Sequence, residues 1–525
     1  MNKIHILLLI LIVFIVVFVN VDSGIAAEGE PADWWETAIF YEIFVRSFYD
    51  TDCDGIGDFN GITQKLDYLQ DLGINALWLM PIHPSPSYHG YDVINYYAVN
   101  HQYGSMDDFK NLLEEAHRRD MRIIIDLVLN HTSSQHPFFV AANSSPDSEY
   151  RDWYVWSDED PGNGWHQGNQ GYYYGYFWGG MPDLNYENPA VTAQFDNVVR
   201  FWLDEIGVDG FRVDAAKHLI EEGDRRENTP ATHAWYKDFY ARYKADFPQA
   251  YTIGEVFGAG GFIATTYQDE FDQLFNFELA SGFVNSANGG SNTGITSAYK
   301  FTLKDMPMGG YGTFLTNHDQ NRVMSVIYGD VAKAKVAASM LLTAPGTPYI
   351  YYGEEIGMQG KKPDEDIRLP MQWSAAPNAG FSCESAEPWR EPFEGYANVN
   401  VADQLEDADS LLSHYRELID LRKQHSALKT GATTLVESDT TALFGLLRSA
   451  ANENILILVN LSEEPLQAVN ISTNSSPLSA GNYSPQGLLG DLEQVLEVDQ
   501  EGGFTLTLRD EIQAYQTLIL ALEHE

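Results

Sequence analysis

Residues Arg122 to His131 read Arg-Ile-Ile-Ile-Asp-Leu-Val-Leu-Asn-His. A short, nearly unbroken apolar run reads as a strand buried on both faces, the pattern of a parallel sheet covered by helices. This run ends on the polar pair Asn130-His131. The same design recurs along the chain, at Ala38–Phe44 (AIFYEIF), Ala76–Met80 (ALWLM), Val208–Val213 (VDGFRV) and Tyr251–Val256 (YTIGEV). It recurs again at Phe271–Phe277 (FDQLFNF), Thr313–Asn317 (TFLTN) and Pro348–Tyr352 (PYIYY). Ile62–Leu72 and Met106–Arg119 carry helical periodicity between the first strands. Eight strand-and-helix units predict an α/β fold closed into a (β/α)₈ barrel rather than an open sheet.

Two segments interrupt that rhythm. Residues 132–187 are too long for a strand-to-helix loop and are rich in Tyr, Trp, Gly and Asp, so they read as a small inserted domain B after strand 3. A second long loop, from Ile356 to about Asp407, follows strand 8; irregular loops of that length are usually functional. The barrel is then expected over 28–131 and 188–428. Over 429–525 the pattern changes to alternating runs such as Ile455–Val459 and Thr517–Leu522, which predicts a C-terminal all-β sandwich. The first 27 residues join a basic start, an apolar run from Ile6 to Val19 and the small residues Ser23-Gly24-Ile25-Ala26-Ala27. That is an export signal, and it predicts a secreted protein, or one anchored by the signal if it is left uncleaved.

The 525 residues hold 31 basic and 75 acidic side chains, a net charge of −44. Such a surface excludes nucleic-acid binding, which needs Lys and Arg to neutralise phosphates, and it repels anionic membranes. Two readings of the acidity are open: adaptation to high salt, which screens the self-repulsion, and simple solubility in an ordinary medium. Salt adaptation is the preferred one. The two cysteines, Cys53 and Cys383, form no framework and are expected to be unpaired. The chain is expected to be monomeric.

Catalytic groups of a (β/α)₈ barrel gather at the C-terminal ends of its strands. There the sequence places Asp126 through His131, Arg212-Val213-Asp214, Glu255, and Asn317-His318-Asp319. Carboxylates around one centre suit glycosidic bond cleavage, in which one attacks the anomeric carbon and another protonates the leaving oxygen. Arg212 lies two residues before Asp214, on the same face of its strand, and can keep that carboxylate ionised. Any one of these acids alone is more simply a solvated loop residue. The set in this order is not.

These stretches resemble glycoside hydrolase family 13, the α-amylase family. The motifs GYDV (Gly90–Val93), DLVLNH (Asp126–His131), MPDLN (Met181–Asn185), GFRVDAAKH (Gly210–His218), GEV (Gly254–Val256) and LTNHD (Leu315–Asp319) occur in the family's order. The resemblance runs from about Asp33 to the C-terminus. It implies Asp214 as nucleophile, Glu255 as general acid and base, and Asp319 as transition-state stabiliser. It further implies substrate contacts from His89, Tyr91, His131, Arg212 and His318. Lys217 and His218, after the nucleophile, are similar to α-amylases and favour internal cleavage of α-1,4-glucans. The motif MPDLN mixes the patterns of oligo-1,6-glucosidases and neopullulanases, and the loop Arg368-Leu369-Pro370-Met371-Gln372-Trp373 resembles oligo-1,6-glucosidases and trehalose synthases. The chain is thus similar to the intermediary α-amylase subgroup between oligo-1,6-glucosidases and neopullulanases; Arg368 joins the expected substrate contacts, and an α-glucosidase or glycosyl-transferring activity of the trehalose or cyclodextrin type stays open. The aromatic run Tyr172–Trp178 is either a sugar platform or the core of domain B.

Residues 49–58, YDTDCDGIGD, space their oxygens like a calcium loop. Counting from Asp50, they fall at the first, third and fifth positions (Asp50, Asp52, Asp54), the seventh (the Ile56 carbonyl) and the ninth (Asp58), with Gly55 at the sixth. The twelfth is Gly61 rather than Glu, which rejects a helix–loop–helix calcium hand. The family resemblance implies one Ca²⁺ in this loop, as in oligo-1,6-glucosidases. It also suggests a second, at Asn130, Asp183 and the His218 carbonyl, as in α-amylases.

Overall fold

The computed structural model describes residues 33–258, 261–450 and 452–525. The export segment expected over residues 1–27 lies outside them. Eight parallel strands close a barrel in chain order: β1 Phe40–Ile43, β2 Ala76–Leu79, β3 Arg122–Leu127, β4 Gly210–Val213, β5 Tyr251–Gly254, β6 Gln273–Phe275, β7 Tyr311–Thr313 and β8 Thr347–Tyr351. Closure comes from β1 pairing with β8, Phe40 opposite Tyr349. Every strand is shorter than or shifted from its expected span. β7 is the clearest case. Phe314 and Leu315 are buried and read as strand residues, but they lie past the ladder, where the chain already turns toward the barrel mouth.

The interior of the barrel is layered. Phe40, Trp78, Tyr251, Phe275 and Tyr349 come from five strands and contact one another, with ring centroids 4.4–5.5 Å apart from Phe40 to Tyr349 and Tyr251, and from Phe275 to Tyr349 and Trp78. Side chains two residues on share a strand face. Glu42 therefore stands above Phe40, and Arg212 and Asp126 are paired across β3 and β4. The aromatic layer is thus roofed by a polar layer at the strands' C-terminal ends.

The helices between strands start where their caps dictate. Phe59–Leu72 begins after Asp58, whose side chain accepts the Gly61 N–H. Met106–His117 begins with a reciprocal Ser105–Asp108 capping box. Between β3 and β4 the chain makes a three-stranded antiparallel sheet from Trp156–Ser157, Trp165–Gly168 and Gly171–Tyr174. The C-terminal domain is all-β. Leu443–Ala450, Glu453–Asn460 and Thr517–His524 form its centre. Strand Ala432–Ser438 pairs first with Leu443–Ala450 and then, through Glu437 and Ser438, with Asn470–Thr473. That change of partner folds the sheet over its own apolar core, which includes Leu447, Leu456, Ile471 and Phe504. Buried Arg448 of this domain ties it to the barrel by donating to the Thr343 carbonyl at the end of helix Val331–Thr343, where buried Arg422 of the barrel's own helix Leu411–Gln424 donates to the carbonyls of Leu342 and Ala344.

The cysteines correct the expectation that they are unpaired. Cys53 and Cys383 form a disulfide, with Cα atoms 5.5 Å apart across a sequence separation of 330. The long loop after β8 folds back onto the loop after β1, bringing together two residues that no sequence spacing could connect. Backbone bonds from Asp50 N–H to Phe381 and from Trp389 N–H to Gly55 hold the same contact. Gly55 is required there: its φ is +88°, and a Cβ would stand 2.0 Å from the Glu387 carbonyl oxygen.

Candidate active site

A cavity of about 450 Å³ opens at the C-terminal mouth of the barrel. Asp214, Glu255 and Asp319 line it, and so do His89, Tyr91, His131, Lys217, His218 and Arg368. Two expected contacts, Arg212 and His318, lie beneath its wall, buried at 1% and 0% exposure. They act on the cavity through the residues above them.

Arg212 is the hub. Its Nη1 lies 2.6 Å from Asp214 Oδ1 and 2.5 Å from Asp126 Oδ1, and its Nη2 lies 2.8 Å from Glu255 Oε2. Asp126 also accepts the Trp78 indole N–H at 3.0 Å. One buried guanidinium therefore holds three carboxylates, two of which face the cavity. Burial pushes Glu255 from 4.5 to about 7; Arg212 opposes the shift, and the Asp214 and Asp319 charges add to it. Burial likewise lifts Asp126 to about 6 against Arg212. Just after Asp214 the backbone takes a left-handed turn at Ala215 (φ +46°), a strained conformation for a residue with a Cβ. The turn aims the Ala215 N–H at Glu255 Oε2, 3.1 Å away.

A second network supports Asp319. His318 donates from Nδ1 to Glu42 Oε1 at 2.5 Å, while its Nε2 lies 2.7 Å from the Tyr91 hydroxyl and 3.2 Å from Asp319 Oδ2. Burial opposes a charge on this ring, but the carboxylates of Asp319 and Glu42 outweigh it and hold His318 at about 10, an imidazolium. Burial also opposes the charge on Asp319; His318 and Arg368, the latter 3.0 Å away, overcome it and hold the carboxyl well below its ordinary range. His131 stays neutral, with burial lowering it to about 4, and its Nε2 is buried with no partner.

Sequence reasoning missed Glu42, Trp78 and Glu227, and it placed Asp126 at the barrel mouth without a role. Glu227 lies 2.7 Å from Lys217 Nζ and 4.0 Å from His218 Nε2, fixing that pair at the cavity wall. The aromatic run divides. Tyr173 and Tyr174 are buried in the inserted segment, whereas Tyr176 and Phe177 line the cavity and Tyr176 packs on His218 at 4.1 Å.

Such a site can ionise one carboxylate, keep a proton on a second and hold a third charged against a sugar. Residues 42–431 match the family described as alpha amylase, catalytic domain. The chain belongs to glycoside hydrolase family 13, the α-amylase family. It is 41% identical over 461 residues to alpha-amylase 3 of Dictyoglomus thermophilum, covering 86% of this chain and 89% of that one. It is 33% identical to an oligo-1,6-glucosidase of Parageobacillus thermoglucosidasius, covering 82% and 91% of the two chains. The crystal structure of an alpha-amylase from H. orenii superposes with a TM-score of 0.80 at 38% identity, over 93% of this chain and 99% of that one.

Two places in this family 13 enzyme gather oxygens that suit a cation. After β1, Asp50, Asp52 and Asp58 each bring a carboxylate oxygen within 4.8 Å of the others. The loop wraps Asp50, whose Oδ atoms accept the N–H groups of Asp52, Cys53 and Gly55. Three converging anionic oxygens are the hard donors that suit calcium. Asp54, also expected there, is exposed at the rim of the loop, with its Oδ1 accepting the Ile56 N–H at 2.8 Å.

At the junction of the barrel and the insert, Asn130 Oδ1, Asp183 Oδ2 and Glu221 Oε1 are buried without hydrogen-bond partners. Burial, with Glu221 adding to it, holds Asp183 well above the usual carboxylate range, and burial lifts Glu221 to about 7. Buried oxygens left without donors are costly, and a cation would satisfy them. Asn130 and Asp183 thus fit the expected site, to which His218 would bring its backbone carbonyl. Glu221 is an addition.

Proposed function

We propose that this protein is an exported, retaining α-amylase that hydrolyses internal α-1,4-glucosidic bonds of starch and maltooligosaccharides. The observation that carries the reading is the shared grip of Arg212 on Asp214 and Glu255, with burial keeping the second near 7. Asp214 attacks the anomeric carbon while Glu255 gives its proton to the leaving oxygen, so the glycosidic bond breaks as a glycosyl–carboxylate ester forms. Glu255, now ionised, takes a proton from water, and the resulting nucleophile displaces Asp214 with net retention. Asp319, held ionised, binds sugar hydroxyls and balances the cationic character of the transition state. Calcium at Asp50, Asp52 and Asp58, and a second ion at Asn130, Asp183 and Glu221, would supply structural cross-links; the chemistry above needs neither.

Lys217 and His218, fixed by Glu227 on the cavity wall, support the α-1,4 assignment. A second reading, an α-1,6-acting α-glucosidase or a glycosyl-transferring enzyme, draws support from Arg368 and Asp364 on the opposite wall and from the oligo-1,6-glucosidase likeness. Time courses on starch, a blocked maltoheptaoside and isomaltose separate the two. Rapid thinning of starch with release of short maltooligosaccharides is expected. Fast glucose release from isomaltose with slow thinning would overturn the assignment. Export is supported by the disulfide, which persists in oxidising compartments. Among the described residues no helix is long and apolar enough to cross a membrane.

A further inference from the structure

Phe257, two residues past Glu255 and 49% exposed, stands on the wall of the active-site cavity. It is also on the wall of a second cavity, of about 340 Å³, shared with Glu278 and Ser281. Those two residues wall a third cavity, of about 490 Å³. Shared walls place the three side by side, in a row that starts at the cavity of the catalytic carboxylates and forms one candidate track. The last link lies against helices Phe277–Gly289 and Thr293–Asp305, where Phe262 and Phe301 offer aromatic surface beside Asn285.

The track is built rather than incidental. Phe257 is propped by Phe277, with ring centroids 5.0 Å apart. Gly261 holds the segment carrying Phe262 down on Phe301, where a Cβ would stand 2.5 Å from a ring carbon. Its N–H is fastened to Glu278 Oε1 at 3.2 Å. The Phe262 ring is 74% exposed and so presents its face to whatever enters the cavity. Neither outer cavity has a Lys or Arg in its wall, so an anionic ligand has no partner there. Hydroxyl, amide and aromatic groups together suit a neutral polyhydroxylated chain. In the middle cavity Gln320 buries an Oε1 with no hydrogen-bond partner, an acceptor left for a hydroxyl.

We propose that this track binds the leaving-group arm of the α-glucan, adding subsites at Phe262 and Asn285 beyond those of the catalytic cavity. Glu255 protonates the leaving oxygen, so the wall that continues from Glu255 through Phe257 faces that arm. The inference rests on the α-1,4-glucan reading. Its test is kcat/KM on maltotriose and on maltoheptaose for wild type, Phe262→Ala, Asn285→Ala and Phe262→Trp. Phe262→Ala should lower the value for maltoheptaose about tenfold, the order set by losing one aromatic face from the bound chain. Asn285→Ala should lower it severalfold, Phe262→Trp should restore it, and maltotriose should stay within about twofold throughout. Equal losses on both substrates, or no loss on either, would overturn the track while leaving the α-amylase assignment standing. A wild type that cleaves isomaltose but neither maltooligosaccharide would overturn both.

Discussion

The proton on Glu255 is the most exposed part of the account, and pH tests it. Glu255 is held at about 7 instead of 4.5, first by burial and then by the charges of Asp214 and Asp319, against Arg212. At pH 7 about half the molecules then carry the proton, against roughly 0.3% for an unshifted carboxyl, a gain of over a hundredfold in competent acid. kcat/KM reports ionisations of the free enzyme, so on a maltooligosaccharide it should stay level to about pH 6.5 and then fall tenfold per pH unit above 7. Glu255→Gln should cut the rate on starch by about 10² to 10⁴ and abolish that alkaline limb. The same variant should still release a burst of fluoride from α-maltosyl fluoride, whose leaving group needs no proton, and then stall because no base activates water. An alkaline limb near 4.5, a flat profile to pH 9, or loss of the fluoride burst would refute the reasoning.

Other consequences follow from the rest of the structure. Removing divalent ions with a strong chelator should lower Tm by several degrees while changing kcat little at temperatures where the fold persists, and Asp50→Asn should reproduce that drop without a chelator; scanning calorimetry reads both. Replacing Cys53 and Cys383 together by Ser frees a loop of 330 residues, worth about 6 kcal/mol by chain entropy. With an unfolding entropy near 1 kcal/mol/K for a chain of this length, Tm should fall by about 6 °C. Burial pushes Glu354 to about 8, above its unfolded value near 4.5, so the stability it contributes is full below about pH 4.5 and is lost as pH rises through 8. Glu354→Gln keeps an acceptor for the Tyr415 hydroxyl, which lies 2.9 Å away, and does not titrate. Its Tm should therefore gain steadily on wild type from about pH 5 to pH 8 and then level off, and parallel Tm curves over that range would reject the point.

What was legible in the sequence was set by local pattern. β3 was readable because an apolar run ending on Asn130-His131 has one plausible use, and Asp214, Glu255 and Asp319 were readable because each lies one to six residues past a strand. The supports beneath them were less visible. Glu42 and Asp126 sit inside strands that are otherwise apolar, and a lone carboxylate in AIFYEIF or RIIIDLVL was itself the available signal: a charge buried there needs a partner, here His318 and Arg212. The disulfide left no such signal, because its cysteines meet only when the loop after β8 returns to the loop after β1. The aromatic run divides at Gly175, after which the chain turns from the inserted sheet to the cavity.

The central claim is that Asp214 becomes covalently attached to the sugar. Mass spectrometry of Glu255→Gln after reaction with α-maltosyl fluoride tests it most directly. The account predicts a protein heavier by one maltosyl group, with the label on the peptide bearing Asp214 and absent when Asp214 is replaced by Asn. A label on another residue, or an unlabelled enzyme releasing product of inverted anomeric configuration, would contradict it.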